Sequence, residues 1–285
     1  MKLTQKIAIN YTVSRLHILA LVSKRKAAKE ALEIFFTPRL RSTKKPSAIF
    51  DKGEKLSFKI NRNTIRGYRW MPQGVQAGAA KKILILHGFE SSIKKFDQYI
   101  NNFVKKGYEV LAFDAPGHGE SGGKRITIPL YVDMIKYIFT TYGPIQSFLS
   151  HSLGSISVAH FLESVKHDKE TKLVLIAPAT ETVTSVDRFF EYLQLDDEVR
   201  KEFDGLIYEK TGYRTEYYSM KRAAKKIKAS VLWFHDEEDA VTPIGDVIKV
   251  KEDNHKNIDY IFTKGLGHRN IYRDSKVMKQ VVEFL

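Results

Sequence analysis

The chain contains no cysteine. Disulfides, thiolate metal sites and a cysteine nucleophile are thereby excluded, and any nucleophile must be Ser, Thr, His, Lys or a carboxylate. Long apolar runs are missing as well. The uncharged stretch Ile7 to Ser14 stops at Arg15, and Leu16 to Ser23 stops at Lys24, both short of the roughly 20 residues that a membrane-spanning helix needs. A secretory signal would require a longer clean apolar region and a small-residue cleavage site, where Lys24-Arg25-Lys26 stands instead. Acidic residues are absent before Glu30, a start that also fits an organellar transit peptide. Residues 1–72 carry 17 basic and 4 acidic side chains, the remainder 30 and 29. The net charge of +14 is therefore a basic arm on a near-neutral body. With no RNP, zinc-finger or helix-turn-helix pattern beside it, nucleic acid is not an expected partner.

What is present is globular. At 285 residues, 43% apolar and 28% charged, the chain suits one large α/β domain. From Leu3 to Phe36 the pattern is helical, with Ala27, Ala28, Ala31, Leu32, Phe35 and Phe36 forming an apolar stripe that Thr37-Pro38 stops. Such a helix either packs on the domain or lies on a membrane surface. After a basic loop around Pro46 and Lys52-Gly53, Lys55 to Ile60 and Thr64 to Trp70 alternate about Asn61-Arg62-Asn63, which reads as an antiparallel hairpin.

Beyond the linker Pro72 to Ala80 the rhythm becomes strand, helix, strand. Ile83–Leu86, Val110–Phe113, Ile145–Leu149, Leu173–Ile176, Val231–Phe234 and Ile258–Phe262 are apolar enough for burial on both faces of a mostly parallel sheet. Helices are expected at about 94–106, 129–142, 153–166, 243–251 and 275–284. One connection is too long. The stretch from Thr180 to Ala229 is aromatic-rich and reads as a cap inserted between two strands.

The chemistry concentrates at strand ends. In Ser150-His151-Ser152-Leu153-Gly154 a serine stands between strand and helix with small residues two positions before and after it. A sharp strand-to-helix turn exposes the central hydroxyl and tolerates only small flanks, and the pattern is GxSxG with Ser150 in the first glycine's place. A serine needs a base, and the base an acid to hold its tautomer. His268 follows Gly265-Leu266-Gly267, past the last strand; Asp239 lies in His235-Asp236-Glu237-Glu238-Asp239-Ala240-Val241-Thr242-Pro243, past the strand before it. Asp236, Glu237 and Glu238 compete with Asp239 for the acid's role.

The order Ser152, Asp239, His268 resembles that of the α/β-hydrolase family, and the likeness extends from about residue 55 to 285. His87-Gly88-Phe89 resembles the family's oxyanion loop, Asp114 to Ser121 its DxxGxGxS turn, and His235 to Pro243 its HxxxDxxxP stretch. The resemblance selects Asp239 and implies an α/β-hydrolase domain over 47–285 with a cap at 180–229; the basic helical extension at 1–46 lies outside the common family core. It further implies a serine hydrolase, foremost a carboxylic-ester hydrolase, with Ser152 as nucleophile, His268 as base, Asp239 orienting it, and the N–H groups of Phe89 and Leu153 as oxyanion donors. Thioesterase, amidase, peptidase and C–C hydrolase chemistry, or a non-catalytic ligand pocket, remain alternatives on the same scaffold. No cofactor and no metal is expected, since no ligand cluster or phosphate loop has the required spacing. The expected partner is a small ester or lipid-like substrate, and the expected place is the cytoplasm, with peripheral membrane contact through the basic segment as a hypothesis.

Overall fold

The computed structural model describes residues 3–39, 45–75 and 78–285. Parts of the basic leader (residues 1, 2 and 40–44) and of the linker (residues 76 and 77) lie outside the described residues.

The hairpin forms as β1 (Glu54–Ile60) and β2 (Asn63–Trp70). Ile60 pairs with Asn63, so Asn61 and Arg62 alone make the turn, both with positive φ (45° and 67°). That conformation matches the twist of the strands, and it moves Asn63 from the expected turn into β2. The remaining strands are β3 (Lys82–Leu86), β4 (Glu109–Phe113), β5 (Ser147–His151), β6 (Lys172–Ile176), β7 (Ser230–Asp236) and β8 (Ile258–Thr263). They join one sheet in the order β1-β2-β4-β3-β5-β6-β7-β8. Pairings β1·β2 and β2·β4 are antiparallel, and all the others are parallel.

In chain order the helices are α1 (Leu3–Val22), α2 (Lys24–Phe36), α3 (Asp97–Lys105), α4 (Ile128–Tyr142), α5 (Leu153–Leu162), α6 (Thr182–Leu193), α7 (Asp197–Thr211), α8 (Met220–Ala224), α9 (Ile244–Lys251), α10 (Gly267–Asn270) and α11 (Ser275–Phe284). The expected single helix from Leu3 to Phe36 is two. Ser23 leaves the helical region, and its hydroxyl accepts the Lys26 N–H at 3.3 Å, starting α2 afresh. The basic loop contains a short 3₁₀ turn, Ala48–Lys52, that buries Phe50. α5 stops at Leu162 rather than near 166, where the Ser164 N–H turns back to the Phe161 carbonyl at 2.9 Å.

Two compact units result, and their boundary differs from the expected one. The N-terminal helices and Glu181–Tyr218 form one unit, while Pro38–Thr180 and Ser219–Leu285 form the other. Thus the extension and the first part of the insertion share a core, and α8 belongs with the sheet. In the helical unit Leu16, Ala27, Ala31 and Leu32 of α1–α2 pack with Val186, Phe190, Phe203 and Leu206 of α6–α7. Arg25 reaches Glu202 at 3.2 Å and Glu209 at 2.7 Å, and Lys24 pairs with Asp196. Exposed pairs of this kind contribute little net stability, so the apolar contacts hold the unit together.

In the sheet unit the period of two divides the strands between two layers. Ile83, Ile85, Val110 and Ala112 join Tyr99, Ile100 and Phe103 of α3 and Val277 and Val281 of α11 in one cluster. Phe113 and Phe148 meet Tyr142 of α4 and Phe161 of α5 instead. α5 is buried throughout Gly154–Leu162, which fixes the position of its N-terminus and of the serine preceding it.

Candidate active site

Three strand ends converge here. Ser152 sits between β5 and α5 with φ 53° and ψ −119°, a strained conformation for a residue with a side chain. Close packing imposes it. A Cβ at Gly154 would stand 2.8 Å from the carbonyl oxygens of both Leu86 and His87, and a Cβ at Gly88 would stand 2.8 Å from the Ser152 Cβ. Ser150, which replaces the usual first glycine, is fully buried and donates to the Val174 carbonyl at 2.9 Å. Its hydroxyl is thus satisfied inside the sheet.

Although Ser152 occupies the N-cap position of α5, its side chain caps nothing. Instead its hydroxyl lies 3.0 Å from His268 Nε2, and His268 Nδ1 lies 2.8 Å from Asp239 Oδ2. The ionised carboxylate can only accept, so Nδ1 carries the proton and Nε2 is free to accept from the serine. Asp239 Oδ1 takes the N–H groups of Val241 (2.7 Å) and Thr242 (2.9 Å), and Oδ2 also takes the Thr242 hydroxyl (2.8 Å). Burial pushes this carboxyl up, but His268 and the Thr242 donors more than reverse the effect and hold it at about 2. It is an anion at any pH near neutrality.

The rival acids separate cleanly. Asp236 is buried and accepts from the Thr263 hydroxyl (2.7 Å), the Leu266 N–H (3.0 Å) and the Glu238 N–H (3.1 Å). It therefore ties down the loop that presents His268 rather than contacting the histidine. Burial raises its pKa, and these donors bring it below the ordinary carboxylate value. Glu237 and Glu238 are exposed. The bend itself depends on Gly265 and Gly267, with φ of 81° and 58°.

The oxyanion loop is held by two histidines. His87, fully buried, accepts the Ala115 N–H at Nε2 (2.9 Å) and donates from Nδ1 to the Gly88 carbonyl (2.8 Å). Burial pulls its pKa down to about 4, so it is neutral. His118 accepts the Glu90 N–H at Nε2 (3.0 Å), and its ring meets Phe89 edge-on at 5.5 Å. Asp114 takes the N–H groups of Ile93 and Glu120, while a Cβ at Gly119 would fall 2.0 Å from its carboxylate. The DxxGxGxS turn thus shapes the loop carrying Phe89. Leu153, first residue of α5, has an N–H with no helical acceptor, and the helix dipole adds positive potential at that end.

Two residues outside the triad, His151 and Thr242, also bear on the histidine and its acid. The structure gives both a part. His151 donates from Nε2 to the His268 carbonyl at 3.0 Å, and its ring lies 4.8 Å from that of His268 and 4.7 Å from Tyr272. Burial, with the charge of His268 next, drives its pKa to about 3 and keeps it neutral. The signal for Thr242 was its place three residues after an acid and just before Pro243, where side-chain and backbone donors turn back to a carboxylate.

The chain is similar to known proteins in sequence and in fold. A family described as "Hydrolase_4: Serine aminopeptidase, S33" matches residues 77–201. "Putative esterase/lipase 2" of Mycoplasma pneumoniae is 23% identical over 236 residues, spanning 71% of this chain and 88% of its own. The Pyrococcus furiosus esterase Pf2001 superposes with a TM-score of 0.63 at 21% identity, over 88% of this chain and 95% of its own. "Alpha/beta hydrolase domain-containing protein 10" from mouse does so at 0.57 and 19% identity, over 80% and 95%. These likenesses show the fold: the chain has the α/β-hydrolase fold, and in sequence it is similar to members of that group.

Proposed function

We propose that the protein is a serine hydrolase that cleaves carboxylic esters through an acyl-enzyme on Ser152. The observation that carries this is the continuous relay from Ser152 Oγ to His268 (3.0 Å) and from His268 to Asp239 (2.8 Å), built on a strained serine whose hydroxyl has no structural duty. His268 Nε2 takes the hydroxyl proton as Oγ bonds to the acyl carbon. The same proton then passes to the departing alcohol oxygen as the ester C–O bond breaks. Water, deprotonated by His268, next attacks the acyl-enzyme, and the proton returns to Ser152 as the acid leaves. The N–H groups of Phe89 and Leu153 stabilise the oxyanion at both stages, each such donor contributing about 3 kcal/mol in comparable sites.

Ester chemistry is favoured by the relatives named as esterases or esterase/lipases. Amide cleavage is the second reading, because the matching family bears an aminopeptidase description. Hydrolysis of p-nitrophenyl esters from acetate to palmitate, with aminoacyl p-nitroanilides in parallel and Ser152→Ala as control, tests both. The proposal expects Ser152-dependent ester turnover, with a chain-length optimum. Turnover of the anilides alone would transfer the assignment to a peptidase, and ester turnover surviving in Ser152→Ala would remove it.

A further inference from the structure

α1 is apolar on two sides. Its inner side buries Leu16 and Ala20 in the helical unit. On the outer side Tyr11, Ile18, Leu21 and Val22 are 67%, 65%, 87% and 74% exposed. Their spacing of three, four and seven residues aligns them, with Ser14 and Arg15, in one stripe along the helix. Large apolar side chains exposed in a row mark a surface that meets an apolar phase.

We infer that this stripe docks the protein on an anionic lipid bilayer, with α1 lying in the interface. Charge favours lipid as the occupant. Between Leu3 and Phe36 there are six cations and two carboxylates, and α1 itself has no carboxylate. Lys24 and Arg25 are engaged by acidic residues of α7 and its N-cap, while Lys26 and Lys29 of α2 are exposed. Arg15 stands within the stripe, its side chain 57% exposed and 2.9 Å from Glu30. In a twofold contact between copies of α1 it would be buried near its own symmetry mate. At a bilayer surface its stem can lie among the acyl chains while the guanidinium reaches the phosphates. No helix among the described residues is long and apolar enough to cross a membrane, so the contact is peripheral.

The test is co-flotation of the full chain with vesicles of phosphatidylcholine, with and without phosphatidylglycerol, at low and high salt. Wild type and Ser152→Ala are expected to float with the anionic vesicles and to release as salt rises. Ile18→Ser/Leu21→Ser is expected to lose about tenfold or more in partitioning. Tyr208→Ser, at an exposed residue of α7 in the same unit, is expected to float as wild type. Circular dichroism of each variant establishes that it is folded. Absence of flotation at low salt overturns the inference, as does undiminished flotation of the folded double variant. A wild-type dimer that the double variant converts to monomer assigns the stripe to a second copy instead.

Discussion

Replacing Asp239 by asparagine changes one atom and should reverse the direction of the proton relay. The Val241 and Thr242 N–H groups, at 2.7 and 2.9 Å, hold an acceptor at Oδ1. The new amide group must then occupy the Oδ2 position, 2.8 Å from His268 Nδ1. Two donors cannot share that contact, so the imidazole moves its proton to Nε2. It can then no longer accept from Ser152. At neutral pH kcat should fall by about 10³ to 10⁴, a barrier increase of about 4 to 5.5 kcal/mol, with KM within about threefold of wild type. Steady-state hydrolysis of p-nitrophenyl acetate measures the first effect, and the rate of fluorophosphonate labelling should fall in step. A folded Asp239→Asn enzyme retaining more than a tenth of kcat would show that the carboxylate does not set the tautomer.

Three further outcomes follow from the same geometry. His151→Phe keeps a ring against Tyr272 but loses the 3.0 Å donation to the His268 carbonyl; kcat should drop about five- to tenfold with a shifted acid limb of the pH–rate profile, and His151→Gln should recover most of it. An unshifted profile in the phenylalanine variant would reduce His151 to packing. Gly154→Ala places a methyl 2.8 Å from two backbone carbonyl oxygens and should cost about 1–3 kcal/mol in urea unfolding, so an unchanged midpoint would contradict the close approach. Asp239 titrates at about 2 in the fold, below its unfolded value. Its stabilising contribution, about 2 kcal/mol, is complete above pH of about 4 and disappears as pH falls toward about 2. Urea midpoints between pH 5 and 2 should therefore slope less steeply in Asp239→Asn, and parallel slopes would count against the assignment.

Much of this was readable in the residues because the relevant signals are local. Buried parallel strands announce themselves as short apolar runs, and Ser152, Asp239 and His268 each follow one. The errors have physical causes. β5 was expected at Ile145–Leu149 but runs to His151, and β7 continues past Phe234 to Asp236. At these ends the strands carry polar groups that serve the site, so hydrophobicity stops before the hydrogen bonding does. The break at Ser23 was hidden because residues on both sides favour helix, and a single capping hydroxyl decides it. Pairing of α1–α2 with α6–α7 could not be read from either segment. Contacts across some 170 residues, such as the one between His17 Nε2 and the Leu193 carbonyl at 2.9 Å, leave no local periodicity. Asp236 resembled a rival acid for a similar reason: only its position in space shows that it anchors the loop and leaves the histidine to Asp239.

The central claim is that Ser152 is an activated nucleophile, and covalent capture tests it most directly. Wild-type protein treated with a fluorophosphonate near neutral pH, digested and mapped by mass spectrometry, should carry one adduct, on Ser152. Ser152→Ala should carry none, and His268→Ala should label far more slowly. An adduct on another residue, or no adduct on folded protein, would contradict the account.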